Sequence, residues 1–135
     1  MTRTIVVDAS FITSLLAQSE GATKEWELAL IDGAELAAPH LMPVEVTSAL
    51  RSAERQGLLS SSVAALAHRD LVDLGVDLFP FEPFASRVWA LRHSVSPYDG
   101  WYIALAERLD APLVTLDQRL TRAADAQCQF VLPPQ

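Results

Sequence analysis

Residues 96–120 read SPYDGWYIALAERLDAPLVTLDQRL, which predicts a helix, a short break, a buried strand and the start of another helix. Asp99 stands in the first turn of the predicted helix, and Asp117 follows directly after the strand. An apolar helical stripe begins three residues after Asp99 and comprises Tyr102, Ile103, Ala106 and Leu109. A carboxylate in line with a core-facing stripe is unusual, because a buried charge is costly unless it is paired or holds a metal. The question is which other acids share its site.

The composition is that of a globular chain. Half of the 135 residues are hydrophobic, which supports a sizeable core in a single domain spanning residues 1–135. We expect no membrane association, since no apolar run approaches the roughly 20 residues of a spanning helix and the N-terminus lacks a signal-peptide pattern. The single cysteine, Cys128, excludes an internal disulfide and favours a reducing, cytoplasmic compartment.

The charge balance is acidic, with a net charge of −7 and Lys24 as the only lysine. Nucleic-acid-binding domains usually carry a basic surface, so the overall field of this chain does not attract nucleic acid. A metal ion and a few arginines would have to attract nucleic acid locally. The candidates are Arg51, Arg55, Arg87, Arg92, Arg119 and Arg122. The same acidity suits a basic protein partner.

Outward from residues 96–120, strands alternate with helices along the whole chain. Short apolar runs predict strands at residues 4–7, 35–38, 76–79 and 129–132. Helical spacing and capping residues predict helices at residues 9–17, 24–31, 43–56, 60–74 and 83–93. This alternation predicts an α/β fold, a three-layer α/β/α sandwich with a mostly parallel central sheet.

Four acids occupy comparable boundary positions, and each has a purely structural alternative. Asp8 ends T-I-V-V-D and Asp117 ends L-V-T-L-D, where either can cap the next helix. Asp99 can complete a capping box begun by Ser96. Glu45 lies in the first turns of its helix, where an acid is mildly favoured, although its flank is apolar.

Taken together, the four acids indicate a shared site. Strand carboxyl ends and the following helix N-termini lie on one edge of a parallel sheet, where ligand sites form. Four carboxylates that meet there need a counter-charge. The matching cation is hard and binds oxygen, as Mg²⁺ or Mn²⁺ does. The three histidines, by contrast, are scattered along the chain as His40, His68 and His93.

Other acid-centred sites fit less well. A phosphatase of the haloacid dehalogenase type carries a second acid two residues after the strand-end aspartate, where this chain has Ser10. A response-regulator receiver needs a lysine late in the chain, and Lys24 lies early. The glycines are isolated, so no phosphate-binding loop is indicated.

At these positions the sequence resembles the PIN-domain nucleases, particularly the VapC-type toxins of toxin–antitoxin modules. The resemblance covers nearly the whole chain and rests on four landmarks in order. These are V-V-D-A-S, the helix start with Glu45 preceded by Pro39 or Pro43, Y-D-G-W-Y-I-A-L-A-E, and L-V-T-L-D-Q-R-L. It implies a PIN-like domain that hydrolyses RNA phosphodiesters as an endoribonuclease dependent on Mg²⁺ or Mn²⁺.

The resemblance also assigns residues to the site. It implies an acidic catalytic and metal-binding set, with two hydroxyl residues in support. The acids are Asp8, Glu45, Asp99 and Asp117, and the supporting residues are Ser10 and Thr115. Gln118 and Arg119 follow Asp117, where some members carry a further acid, so a full second metal site is not implied.

The implied partners are a cognate antitoxin, an RNA substrate and a second copy in a homodimer. The first two helices would supply an antitoxin or dimer surface through Phe11, Ile12, Leu15, Trp26 and Leu30. The alternative is a PIN-like domain that acts mainly as a protein-binding module with weak or no nuclease activity. Metal-dependent cleavage separates the two.

Overall fold

A five-stranded parallel sheet forms the centre of the computed structural model, which describes residues 2–18 and 20–134. The strands are β1 (Arg3–Val7), β2 (Ala34–Pro39), β3 (Asp77–Phe79), β4 (Leu113–Val114) and β5 (Phe130–Val131). Their order across the sheet is β3-β2-β1-β4-β5, and every pairing between neighbours is parallel. The predicted α/β class is confirmed, and the sheet is parallel throughout.

Helices cover both faces of the sheet. Those described are α1 (Ala9–Ala17), α2 (Ala22–Ile31), α3 (Met42–Arg55), α4 (Ser61–Asp73), α5 (Ala85–Ala90) and α6 (Pro97–Leu109). The chain moves from β1 to β2 to β3 through α1–α4, which pack on one another. It then crosses back to β4 through α5 and α6, and right-handed crossovers place this pair on the opposite face. The result is the three-layer sandwich. None of these helices is both long and apolar enough to cross a membrane.

The centre of the sheet is the most deeply buried part of the fold. Ile5, Val6 and Val7 of β1 are each exposed by 2% or less. Strands covered on both faces are apolar without alternation, as the T-I-V-V run indicates. Because β1 lies between β2 and β4, the residue that follows it is held at the middle of the sheet edge.

Two predicted helices differ from the structure. The helix predicted at 83–93 is a 3₁₀ turn (Glu82–Phe84) followed by the short α5, which ends at Ala90. There Arg92 N–H bonds the Trp89 carbonyl and Ser94 N–H bonds that of Leu91, so the chain tightens into turns. The element after Asp117 is likewise a 3₁₀ turn, Gln118–Arg122, closed by a bond from Leu120 N–H to the Asp117 carbonyl.

The expected partner surface is wrong for the three side chains of α1. Phe11 and Ile12 are fully buried and Leu15 is 3% exposed, because α1 packs against α2, α3 and α4. Trp26 meets the Phe11 ring edge-on at 5.8 Å and, like Leu30, packs against the core. The α1 side chains therefore stabilise the fold and form no free surface, whereas Trp26 and Leu30 remain partly exposed.

Candidate active site

The candidate site lies at the carboxyl edge of the sheet, where the chain order reverses between β1 and β4. Ligands of parallel α/β proteins bind at such switch points. Asp8 follows β1 directly, and its backbone N–H donates to the Val114 carbonyl in β4 at 3.2 Å. The ends of both strands are therefore tied together at the position of the first acid.

Asp8 is both a helix cap and a buried acid. Its Oδ1 accepts hydrogen bonds from the Phe11 backbone N–H at 3.0 Å and from Ser10 Oγ at 2.7 Å. Burial raises the pKa of Asp8 above its ordinary value, and the negative charge of Asp99 adds to the shift, while the hydrogen bonds oppose it. Asp8 can therefore cap α1 and also belong to an acidic site, because its carboxylate interacts with that of Asp99.

Ser10 and Thr115 form a polar bridge between the first and fourth strand ends. Ser10 Oγ accepts a hydrogen bond from Leu116 N–H at 3.1 Å and lies 3.5 Å from Thr115 Oγ1. Thr115, which is fully buried, accepts from Asp117 N–H at 3.0 Å. The two hydroxyl groups thus hold Asp8 and Asp117 in a fixed relation.

Asp99 lies in the first turn of α6, half-buried beside the strand edge. Ser96 caps this helix, and its Oγ accepts from the Asp99 backbone N–H at 3.2 Å. Burial raises the pKa of the Asp99 carboxyl, and repulsion from Asp117 adds to the shift. Because the cap uses the backbone of Asp99, its carboxylate is left to face the other acids.

Glu45 reaches the site from the first turn of α3, and its partner was missed by the sequence analysis. Tyr102 OH donates to Glu45 Oε1 at 2.7 Å. Burial raises the pKa of Glu45, and the charges of Asp99 and Asp8 raise it further. The sequence feature that could have predicted this contact is the tyrosine within an apolar stripe. A buried phenol hydroxyl usually has a hydrogen-bond partner.

Asp117 differs from the other three acids because an arginine already pairs with it. Arg119 donates from Nε to Oδ1 and from Nη2 to Oδ2, both at 3.2 Å, and its backbone N–H bonds Oδ1 at 3.0 Å. These hydrogen bonds hold the pKa of Asp117 below its ordinary value. Asp117 caps the 3₁₀ turn as the sequence allowed, and its charge is partly neutralised by this chain's own side chain.

The proposed phosphate-binding arginines do not share one environment. Arg87 forms an ion pair with Glu107 at 2.7 Å and donates to the Asp125 carbonyl, so it ties α5 to α6 and to the segment before β5. Arg119 is the arginine whose charge acts on both Asp99 and Asp117. It is therefore the best-placed cationic side chain for a ligand at the acids.

The four acids form one electrostatic group. Asp8 interacts with Asp99, Glu45 with both, and Asp99 with Asp117. The donors are all carboxylate oxygens, which suit a hard divalent cation that would relieve their repulsion. Across residues 2–18 and 20–134, however, no three His, Cys, Asp or Glu side chains stand as a ready-made metal cluster. The chemistry of the donor set fits such an ion, and binding would draw the carboxylates closer together.

Comparison with known proteins places this arrangement in a family. The PIN domain family matches residues 5–126. Ribonuclease VapC9 of Mycobacterium tuberculosis is 35% identical over 130 residues, covering 96% of this chain and 98% of the relative. The family match spans the positions of all four acids. The match to the relative runs through nearly the full length of both proteins.

Solved structures share the fold at low sequence identity. PAE2754 from Pyrobaculum aerophilum superposes with a TM-score of 0.69 at 22% identity, over 96% of this chain and 84% of the other. VapBC2 from Rickettsia felis, bound to a DNA fragment from its promoter, has a TM-score of 0.66 at 10% identity, over 96% and 98%. The fold, the family match and the full-length relative agree: this chain belongs to the PIN-domain family and, within it, to the VapC ribonucleases.

Proposed function

We propose that residues 1–135 form a single PIN-like nuclease domain, a metal-dependent endoribonuclease that acts as the toxin of a toxin–antitoxin module. The cofactor is Mg²⁺ or Mn²⁺, and the substrate is an RNA phosphodiester. The observation that carries the proposal is the electrostatic group of four acids at the sheet edge, three of them with pKa values raised by burial. Concentrating negative charge in this way is costly unless a cation binds there.

Each acid has a proposed role. Asp8 and Asp99 would hold the metal ion, Glu45 would bind it or orient the attacking water, and Asp117 would act through a water molecule. When bound, a divalent ion lowers the pKa of water and stabilises charge on the phosphate. Ser10 and Thr115 support the site by holding Asp8 and the Asp117 backbone. Among the described residues, no lysine or histidine charge acts on these acids, which favours metal-assisted activation of water.

The test is cleavage of total RNA with and without Mg²⁺. We expect Asp8→Asn and Asp99→Asn each to lower cleavage by at least about 100-fold, as loss of a key electrostatic group does. Asp70→Asn is the matched control, because Asp70 is exposed on α4, away from the site. Full activity of the two site variants, or undiminished wild-type cleavage in EDTA, contradicts the proposal.

The alternative, a protein-binding module without nuclease activity, is not favoured. The full-length relative is named a ribonuclease, and this chain retains four acids at the sheet edge. A binding module would dock its partner equally well after chelation and would not need this concentration of buried charge. Metal-dependent cleavage therefore separates the two.

For the antitoxin we propose a groove between α1 and α3, of about 600 Å³. It is lined by Ala9, Thr13, Ala17, Ala49, Ala53 and Leu58, and it also includes Ser10 and Glu45 of the site. The apolar lining suits an amphipathic segment, and the adjoining acids suit a basic residue at its end. Similarity to the VapBC2 and FitAB structures supports an antitoxin partner in general, and the groove is our assignment. A homodimer and a cytoplasmic location complete the proposal, the latter supported by the single cysteine.

Leu58→Asp tests the groove. Leu58 is 73% exposed, so the change leaves the core intact. We expect co-purification with the cognate antitoxin to fall while RNA cleavage by the free protein is unchanged. Val72→Asp is the control, because Val72 is equally exposed but lies on α4, outside this groove. Undiminished antitoxin binding by Leu58→Asp would place the partner elsewhere.

A further inference from the structure

The two tyrosines of the chain occupy opposite environments. Tyr98 is 59% exposed, whereas Tyr102, four residues later on the same helix, is 2% exposed. The Tyr102 hydroxyl donates to Glu45 Oε1 at 2.7 Å. One phenol oxygen therefore links α6 to the first turn of α3.

We propose that Tyr102 is a positioning residue that fixes the Glu45 carboxylate toward the metal-binding side of the site. The inference rests on the proposed function and assigns a role to a residue outside the acidic set. Tyr102 acts through Glu45 and does not itself contact substrate or metal.

The geometry makes Tyr102 the donor of this bond. Its hydroxyl lies 2.7 Å from a carboxylate oxygen, which accepts, and the side chain is only 2% exposed, so water does not compete for the phenol O–H. Its proton occupies Glu45 Oε1 and leaves Oε2 as the oxygen available to a ligand. A glutamate side chain has three rotatable bonds, and ordering it without such a partner costs conformational entropy.

The same bond sets the spacing between elements. Glu45 is carried by α3 and Asp99 by α6, one on each side of the sheet, 54 residues apart in the chain. The Tyr102–Glu45 bond is a direct side-chain link between these two helices at the level of the acids. Hydrogen-bonded supports of metal ligands typically change metal affinity or activity by about 10- to 100-fold when removed.

The experiment compares Tyr102→Phe with Tyr98→Phe. Phenylalanine keeps the ring and its packing and removes only the hydroxyl. Mn²⁺ affinity is measured by titration calorimetry on the whole protein, next to thermal unfolding and RNA cleavage. We expect Tyr102→Phe to bind Mn²⁺ about 10- to 100-fold more weakly, with cleavage reduced in parallel. Tyr98→Phe should match the wild type in Mn²⁺ affinity and in RNA cleavage.

A double-mutant cycle separates positioning from a structural role. In a Glu45→Ala background, Tyr102→Phe should have no further effect on Mn²⁺ affinity, because the group it orients is gone. Equal affinity of Tyr102→Phe and wild type, or an equal loss in both backgrounds, overturns the inference. Wild-type protein that binds Mn²⁺ without cleaving RNA contradicts the proposed function alone. Absence of Mn²⁺ binding by the wild type overturns both.

Discussion

At the residue scale, two aspartates with the same sequence context have opposite electrostatic environments. Asp8 follows β1 directly and Asp117 lies three residues after the end of β4, later than the sequence predicts, and each caps the element that follows. Asp8 is buried and its pKa is raised, whereas Arg119 pairs with Asp117 and lowers its pKa. An acid whose charge is already balanced by an arginine gains less from a metal ion. Of the four acids, Asp117 should therefore contribute least to RNA cleavage.

Substitution of Asp117 should therefore reduce RNA cleavage less than substitution of Asp99. We expect Asp117→Asn to lower RNA cleavage by about tenfold or less, and Asp99→Asn by about 100-fold or more. Asparagine keeps the size of both side chains; at position 117 it can still cap, and the cap of α6 uses Ser96 and the backbone of residue 99, so both variants should remain folded. Initial rates on one RNA at saturating Mg²⁺ provide the comparison. An equal loss in both variants would mean that the Arg119 pair opens during catalysis.

Glu27 is a second buried acid, outside the site. It is fully buried on α2, and among the described residues neither carboxylate oxygen has a hydrogen-bond partner. Burial raises its pKa, which Ser14 and Lys24 only partly oppose. Below the unfolded-state pKa both states are protonated. As pH rises above that value the unfolded chain loses its proton first, so stability falls with increasing pH.

Glu27→Met should therefore stabilise the protein, most strongly at neutral pH. We expect a gain of about 1 to 3 kcal/mol in the free energy of unfolding at pH 7, and a smaller gain at pH 4. Urea denaturation at both values measures it. Glu25→Met is the control, because Glu25 is exposed on the same helix. A gain that is independent of pH would show that the Glu27 carboxyl is not the cause.

At the element scale, helix α6 links the site to the core. Its apolar stripe is buried against the sheet, and its first turn carries Asp99. Ser96 caps α6 through Asp99 N–H, just as Ser60 caps α4 through Val63 N–H at 3.1 Å. The two caps are chemically alike, but only the first adjoins an acid of the site.

Removing each cap should separate stability from activity. Ser96→Ala and Ser60→Ala should both lower the free energy of unfolding by about 1 kcal/mol, measured by urea denaturation. Only Ser96→Ala should also reduce RNA cleavage, by about tenfold or more, because it loosens the turn that orients Asp99. Equal activity of the two variants would indicate that packing alone holds Asp99 in place.

At the scale of the whole molecule, the protein is acidic and yet its proposed substrate is an anion. A net charge of −7 repels RNA at long range, so a cation at the acids must supply the local attraction. The same cation would offset the repulsion among Asp8, Glu45 and Asp99. Stability and activity should therefore depend on the metal together.

Metal binding should raise the thermal stability of the fold. At 100 times its dissociation constant, a ligand that binds only the folded state adds about 2.7 kcal/mol, or about 10 °C for a chain of this size. We expect this shift with Mn²⁺ in the wild type and little or none in Asp99→Asn, measured by scanning calorimetry. A shift of equal size in the variant would place the binding site away from Asp99.

Local sequence patterns were enough to predict the fold class and to nominate the four acids. The continuous apolar run of β1 indicates a strand that is covered on both faces. The helical stripe of α6 indicates a buried helix face, because its periodicity follows from backbone geometry. The capping positions of Asp8, Ser96 and Asp117 were also readable, since capping involves residues only two or three apart. Short elements such as α5 were less predictable, because their ends depend on tertiary packing.

Only the tertiary structure decided how these residues act on one another. The order β2-β1-β4 brings Asp8 beside Val114 and Thr115, more than 100 residues away in the chain. The bond from Tyr102 to Glu45, the coupling of Asp99 to three other acids, and the burial of Phe11 and Ile12 all depend on elements that meet across the sheet. Pairwise electrostatics and burial depend on distance in space, which a single sequence does not encode locally.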